Sequence, residues 1–254
     1  MLPVIKQMDD FSAVIIANNE SKHISRCINS LQNITDDVVV VDSGSTDDTP
    51  SIARSLGARV FLHTFEGYGA NKNFGTLQTK NNWIISLDGD EVLSPELTLS
   101  IQNLIPEKGC VYALNSLVNY CGKWIRHSGW YPIYKNRIFH KEDCRWNDAL
   151  VHEDLTPLDN ISIIKLNGDL WHYSYDSIAE HRQKSIQYGR LKGAEWIRTG
   201  KHPRLWKRWG APYFAFIRSY VLKAGFLDGA AGFNIAKMNY LQYRTAIKQF
   251  MSSL

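Results

Sequence analysis

The stretch Trp83 to Leu97 reads WIISLDGDEVLSPEL and sets three acids, Asp88, Asp90 and Glu91, at the end of an apolar run. The run Trp83 to Leu87 is too short for a buried helix and fits a buried strand. Side chains alternate along a strand, so Asp88 and Asp90 are expected on one side, with Gly89 between them admitting a ligand or another backbone. Two carboxylates so placed repel each other. A divalent cation such as Mg2+ or Mn2+ stabilises such a pair. Ser94 as N-cap and Pro95 at the first helical position then begin a helix. The acids therefore mark a strand end, the edge of an open α/β sheet at which ligands bind. Alone, an Asp-x-Asp equally describes a solvated acidic turn.

The elements that must carry these acids follow from periodicity. Phe11 to Ala17 and Val38 to Val41 read as buried strands, and Ile24, Cys27, Ile28 and Leu31 recur at helical spacing between them. Thr46 is the expected N-cap of a helix over 49–56 that Gly57 ends, and Arg59 to His63 is a third strand. A loop and helix fill Tyr68 to Thr79. Strands alternating with helices point to a parallel α/β sheet. Beyond about residue 110, Cys110 to Val118, Arg137 to Phe139 and Ile161 to Ile164 read as strands without regular helices between them, and Ser177 to Arg198 reads as a basic helix.

The first strand does not continue into G-x-G-x-x-G, and the chain has no G-x-x-x-x-G-K-[ST], so neither a dinucleotide fingerprint nor a P-loop is present. Instead Glu20, Asp42, Asp88 and Asp90 follow the ends of three strands. A carboxylate-lined site repels bare phosphate, whereas a nucleoside diphosphate held through a metal suits it. Four cysteines far apart, without a C-x-x-C pair, suggest neither a zinc site nor a disulfide framework and fit a reducing compartment. The N-terminus, MLPVIKQMDDFSAV, reads without a signal peptide.

In order, SAVIIANNESKHISRCINSL, VVVVDSGSTDDT, FEGYGANKNFG and WIISLDGDEVLSPEL resemble the family 2 glycosyltransferases of the GT-A fold, and KAGFLDGAAGFNIAKMNY resembles the branch that adds β-glucose to the lipopolysaccharide core. The resemblance implies an α/β GT-A fold, a mostly parallel sheet flanked by helices with a C-terminal helical appendage. It divides the chain into a catalytic domain over 1–180, with a nucleotide-sugar half at 1–105 and an acceptor half at 106–180, and an appendage over 181–254. It implies a UDP-sugar donor, with UDP-glucose expected, a Mg2+ or Mn2+ ion, and a lipopolysaccharide-core or other lipid-linked acceptor. Among the residues it implies, Glu20, Asp42, Lys72 and Asp88 face the donor, and Asp42 accepts a hydrogen bond from the base. Asp88, Asp90 and His172 gather at the metal, although a packed histidine serves His172 equally well. Inversion at an anomeric carbon needs a base for the acceptor hydroxyl, and the resemblance offers Glu153, with Asp154 as the second choice. The chain departs from the family at Ala70-Asn71, where a glutamine is expected.

Charge divides the chain. Residues 181–254 carry 14 Lys and Arg against 2 Asp and Glu, a net of +12, while residues 1–180 carry 15 against 23, a net of −8. A basic surface of that strength calls for an anionic partner. Tyr213, Phe216, Ile217, Tyr220, Val221 and Ala224 share a helical face, with Trp206, Lys207, Arg208 and Trp209 just upstream. Charges at 218, 223 and 228 break the apolar run, so it reads as an interfacial element rather than a span. A packed helix with solvated charges is the plainer alternative. The expectation is peripheral attachment to an anionic membrane, on the cytoplasmic face of the inner membrane. Nucleic acid is not expected, because the acids at the strand ends would repel its phosphates. Acceptors on a protein or a cell-wall polymer, and a non-catalytic protein that binds anionic surfaces, are the competing readings.

Overall fold

The computed structural model describes residues 10–147, 154–157, 161–200 and 205–252, with the side chains of 157 and 205–208 left aside. Two compact units divide the chain, one of Met1–Ser116 with Ile133–His172, the other of Leu117–Pro132 with Tyr173–Leu254.

In the first unit, β1 (Phe11–Ala17), β2 (Val38–Asp42), β3 (Arg59–Leu62) and β4 (Trp83–Asp88) alternate with α1 (Ile24–Leu31), α2 (Thr49–Ser55) and α3 (Tyr68–Leu77). All residues of β1 and β2 are buried, as expected of parallel strands covered on both faces. β5 (Glu91–Leu93) and α4 (Pro95–Gln102) follow, and then β6 (Cys110–Tyr120), β7 (Lys123–Trp124), β8 (Ile133–His140), β9 (Cys144–Trp146), β10 (Leu155–Pro157) and β11 (Ser162–Tyr175). The main sheet runs β3-β2-β1-β4-β8-β6-β11-β5. Its first four strands are parallel, while β8 joins β4, and β5 joins β11, antiparallel. The sheet is thus mixed, with its parallel half formed by the strand–helix alternation read from the sequence.

Packing fixes these elements. Ile24, Cys27, Ile28 and Leu31 of α1 are buried against a core that includes Ile15, Val40 and Leu87. On α3, a Cβ at Gly75 would come within 2.5 Å of Val14 Cγ1 and 2.8 Å of Val41 Cγ2, so the helix lies too close to β1 and β2 for a side chain there. Ser94 caps α4 by accepting from the Leu97 amide at 3.2 Å, with Pro95 in the first turn, as expected. Thr46, by contrast, does not cap α2. Its amide donates to Asn19 Oδ1 at 2.8 Å, and Asp47 takes the amide of Thr49 at 3.0 Å. Burial opposes the Asp47 charge, but hydrogen bonds from Thr49 and Ser21 bring its pKa down to about 2.

The second unit holds α5 (Ile178–Arg198), α6 (Leu205–Ile217), a π-helical turn (Arg218–Leu222), a 3-10 turn (Gly225–Asp228) and α7 (Gly229–Met251). Gly189 and Gly193 let α5 approach α7, since a Cβ at either would meet a carbonyl of α7 at 2.6 Å. Asp228 is not a surface charge. It is buried and accepts from the amide of His127 at 3.1 Å and the hydroxyl of Ser128 at 3.1 Å. Phe216 and Tyr220 also differ from the sequence reading. Their rings pack on Phe233 at centroid distances of 5.7 and 5.8 Å. The exposed apolar residues of this stretch are Trp209, Tyr213, Phe214, Ile217, Val221, Leu222, Phe226 and Leu227.

Candidate active site

β4 ends at Asp88, and Gly89 and Asp90 form a turn before β5 begins at Glu91. Strand alternation therefore stops at Asp88, and the two acids take different partners. Gly89 makes the turn possible: its amide donates to the Ile16 carbonyl at 3.0 Å, and a Cβ there would sit 3.0 Å from Glu20 Cγ. That approach brings the end of β1 beside the acids. Burial, followed by the charges of Glu91, Asp90, Asp88 and Glu20, pushes the Cys27 thiol well above its ordinary pKa, so Cys27 is inert core beneath a carboxylate cluster.

Asp88 and Glu91 are neutralised by side chains. Lys72 Nζ lies 3.1 Å from Asp88 Oδ1, and an Arg137 terminal nitrogen lies 2.8 Å from Asp88 Oδ2. The same Arg137 nitrogen reaches Glu91 Oε1 at 2.8 Å, and Lys135 Nζ reaches that oxygen at 2.8 Å. Glu91 Oε2 accepts from the Asp88 amide at 3.1 Å. Burial works against both charges. The surrounding cations, Arg137 foremost, nonetheless hold Asp88 well below the usual carboxylate range and Glu91 at about 2. Lys72 is fully buried, with its ammonium 4.6 Å from the centre of the Trp146 ring.

Asp90 has a different neighbour. β5 pairs with β11 so that Glu91 stands opposite His172, and His172 Nε2 lies 3.2 Å from Asp90 Oδ2. Among the described residues no group of three or more His, Cys, Asp and Glu is arranged to hold a metal. The pair nevertheless fits one. Adjacent donors of an octahedral Mg2+ or Mn2+ lie roughly 3 Å apart, and such ions commonly take one or two protein ligands and complete their shell with substrate phosphates and water. The carboxylate oxygen suits either ion, whereas the imidazole nitrogen is a poor partner for hard Mg2+ and favours Mn2+ of the two.

Asp42 turns toward its own loop: Oδ2 accepts from the amides of Gly44 and Ser45 at 3.2 and 3.1 Å. Asn71, where the glutamine was expected, donates to Ser43 Oγ at 3.0 Å and so braces that loop. Asp154 is exposed, and its Oδ1 accepts from the Leu155 amide at 2.9 Å. Glu153 lies outside the described residues. The structure thus brings together Glu20, Lys72, Asp88, Asp90 and His172. The sequence reading missed Arg137, Lys135 and the role of Glu91. The available signal was Lys135-x-Arg137, two cations two residues apart that lead into the buried run Ile138, Phe139 and His140.

The sequence matches the family described as "Glycosyl transferase family 2" over residues 12–153. The chain belongs to glycosyl transferase family 2. An uncharacterized glycosyltransferase of Rickettsia prowazekii is 30% identical over 238 residues, covering 89% of this chain and 81% of its own. The lipopolysaccharide core biosynthesis glycosyltransferase LpsC of Rhizobium meliloti is 28% identical, covering 87% and 84%. Among solved structures, a Mycobacterium tuberculosis glucosyl-3-phosphoglycerate synthase, crystallised with Mn2+, UDP-glucose and glycerol 3-phosphate, is 27% identical over 43% of this chain and 44% of its own, with a TM-score of 0.35. As a family 2 glycosyltransferase the protein is an enzyme, and its mixed sheet with C-terminal helices is of the GT-A type.

Proposed function

We propose that this glycosyltransferase transfers a hexose, glucose by preference, from a UDP-sugar to a lipopolysaccharide inner-core or other lipid-linked saccharide, with inversion and with a divalent metal. The observation that carries this reading is the Asp90–His172 contact of 3.2 Å beside the neutralised Asp88. Asp90 and His172 would hold the metal, which when bound stabilises the charge gathering on the departing diphosphate. Asp88, kept ionised by Arg137 and Lys72, faces the donor from the strand end, with Lys72 behind it. Asp42 shapes the loop that meets the base, and Glu20 closes the same edge. Glu153, or Asp154 beside it, takes the proton of the acceptor hydroxyl. That oxygen then bonds to the anomeric carbon, and the bond to the nucleoside diphosphate breaks on the opposite face. The likeness to LpsC supports the lipopolysaccharide acceptor. A panel of nucleotide sugars tests the donor: slow metal-dependent hydrolysis of UDP-glucose above other donors is expected, and hydrolysis of none overturns the reading.

Such an acceptor lies in a membrane, so the enzyme must work at its surface. Among the described residues no helix is long and apolar enough to cross a membrane. The second unit offers exposed Ile217, Val221, Leu222, Phe226 and Leu227, with exposed Arg218 and Lys223 among them. Apolar side chains amid basic ones suit the anionic cytoplasmic face of the inner membrane. Binding to anionic vesicles should weaken as salt rises, because exposed charges are screened over ~8 Å at physiological ionic strength. Changing Lys207, Arg208, Arg218 and Lys223 together to Glu should release the protein in a flotation assay. Equal flotation of both forms at low salt would make the basic region a structural brace.

A further inference from the structure

Lys135 has no part in the transfer just described, yet it stands at the same strand ends. β8 runs antiparallel to β4 with Trp83 opposite His140, Ile84 opposite Phe139 and Ile85 opposite Ile138. That pairing ends at Ile85 and Ile138, and β8 is irregular against β6 between Ile138 and Asn136. Across that irregularity Arg137 and Lys135 still converge, and both reach Glu91 Oε1 at 2.8 Å.

Three cations here serve two acids. Asp88 is neutralised by Lys72, and Glu91 by the Arg137 that it shares with Asp88. Both of those cations are enclosed, with side chains 0% and 4% exposed, whereas Lys135 is 29% exposed. Glu91 also has its other oxygen on the Asp88 amide. Lys135 is therefore beyond what Glu91 needs, and an ammonium has three donors. Among the described residues the one carboxylate paired with it is Glu91. With Asp90 and Glu20 counted, the four acids exceed these three cations by one, and a divalent ion at Asp90 and His172 would leave the edge net positive. A diphosphate supplies the opposite charge, and Lys135 is the cation of the three that such an anion can reach from solvent.

We infer that Lys135 binds a substrate oxyanion, the phosphate of the donor's diphosphate or an acidic group on the acceptor. Its bond to Glu91 aims the ammonium at the strand ends, and Arg137 keeps Glu91 in place when Lys135 turns to its ligand. The inference rests on the reading of this edge as a nucleotide-sugar site.

Titration of the full-length protein with UDP in the presence of Mn2+ tests it, using wild type, Lys135→Met and Lys135→Arg, with Mn2+ binding alone measured in parallel. Loss of a charge-assisted hydrogen bond to phosphate should raise the Kd for UDP in Lys135→Met about 10-fold or more. Lys135→Arg should recover much of the affinity, and Mn2+ binding alone should be unchanged, because Asp90 and His172 are intact. If UDP binds the Met variant normally but the KM for the acceptor rises by a similar factor, the oxyanion belongs to the acceptor and the inference stands. If neither constant moves, or if Mn2+ binding falls equally, Lys135 is only a counter-ion of Glu91 and the inference fails. If wild type binds no nucleoside diphosphate, the reading of the site fails and this inference with it.

Discussion

Asp90→Asn should lose metal-dependent nucleotide binding and most turnover, by roughly 100-fold or more, while the fold survives. A metal at a leaving diphosphate contributes several kcal/mol to the transition state, and each step of about 1.36 kcal/mol is tenfold in rate. Asn keeps the shape of Asp90 but offers a far weaker ligand, and His172 then stands alone. The fold has little at stake. Asp90 is partly exposed, and the acids beside it keep their cations, half-buried Asp88 with Lys72 and Arg137, buried Glu91 with Arg137 and Lys135. Calorimetry with Mn2+ and UDP, together with a thermal melt, separates the two effects. Near-normal turnover at saturating Mn2+ would remove Asp90 from the metal.

Glu153→Gln should bind donor as wild type does yet transfer roughly 100-fold more slowly, the scale of a positioned general base. Gln preserves size and hydrogen bonding but takes no proton. The donor side, from Glu20 to His172, is untouched, so hydrolysis and binding of the donor separate this loss from a general defect. A dead Asp154→Asn beside an active Glu153→Gln would move the base by one residue. Two active variants would place the base elsewhere.

The parallel half of the sheet was legible because its strands are buried on both faces. The apolar runs Ala13 to Ile16 and Val38 to Val41 leave few alternatives to buried strands, and every residue in them is buried. α1 announces itself by Ile24, Cys27, Ile28 and Leu31. The antiparallel half was harder to read, because its strands are longer and less uniform. β8 begins at Ile133 rather than Arg137, and β11 runs from Ser162 to Tyr175 where only Ile161 to Ile164 were marked. Those strands are exposed or half-buried over much of their length, so no apolar run marks their limits.

At the site, the Asp-x-Asp was visible as a motif, but what neutralises it was not. Asp88 meets Arg137, 49 residues away, and Asp90 meets His172 only because β5 pairs with β11. Such contacts are set by sheet register, which the local sequence does not encode. The alternation expected to set Asp88 and Asp90 on one side stops at Asp88, where the strand ends, and the two acids meet different partners. Phe216 and Tyr220 share a helical edge, as counting about 3.6 residues per turn predicts, but that edge packs on Phe233 of α7, a partner the segment's own sequence does not name.

If the strand-end acids and His172 hold a nucleoside diphosphate through a divalent metal, calorimetric titration of the wild-type protein with UDP, with and without Mn2+, should register it. Saturable binding that requires Mn2+ is the expected result. Equal binding with and without the metal, or no binding of UDP in its presence, would rule that arrangement out.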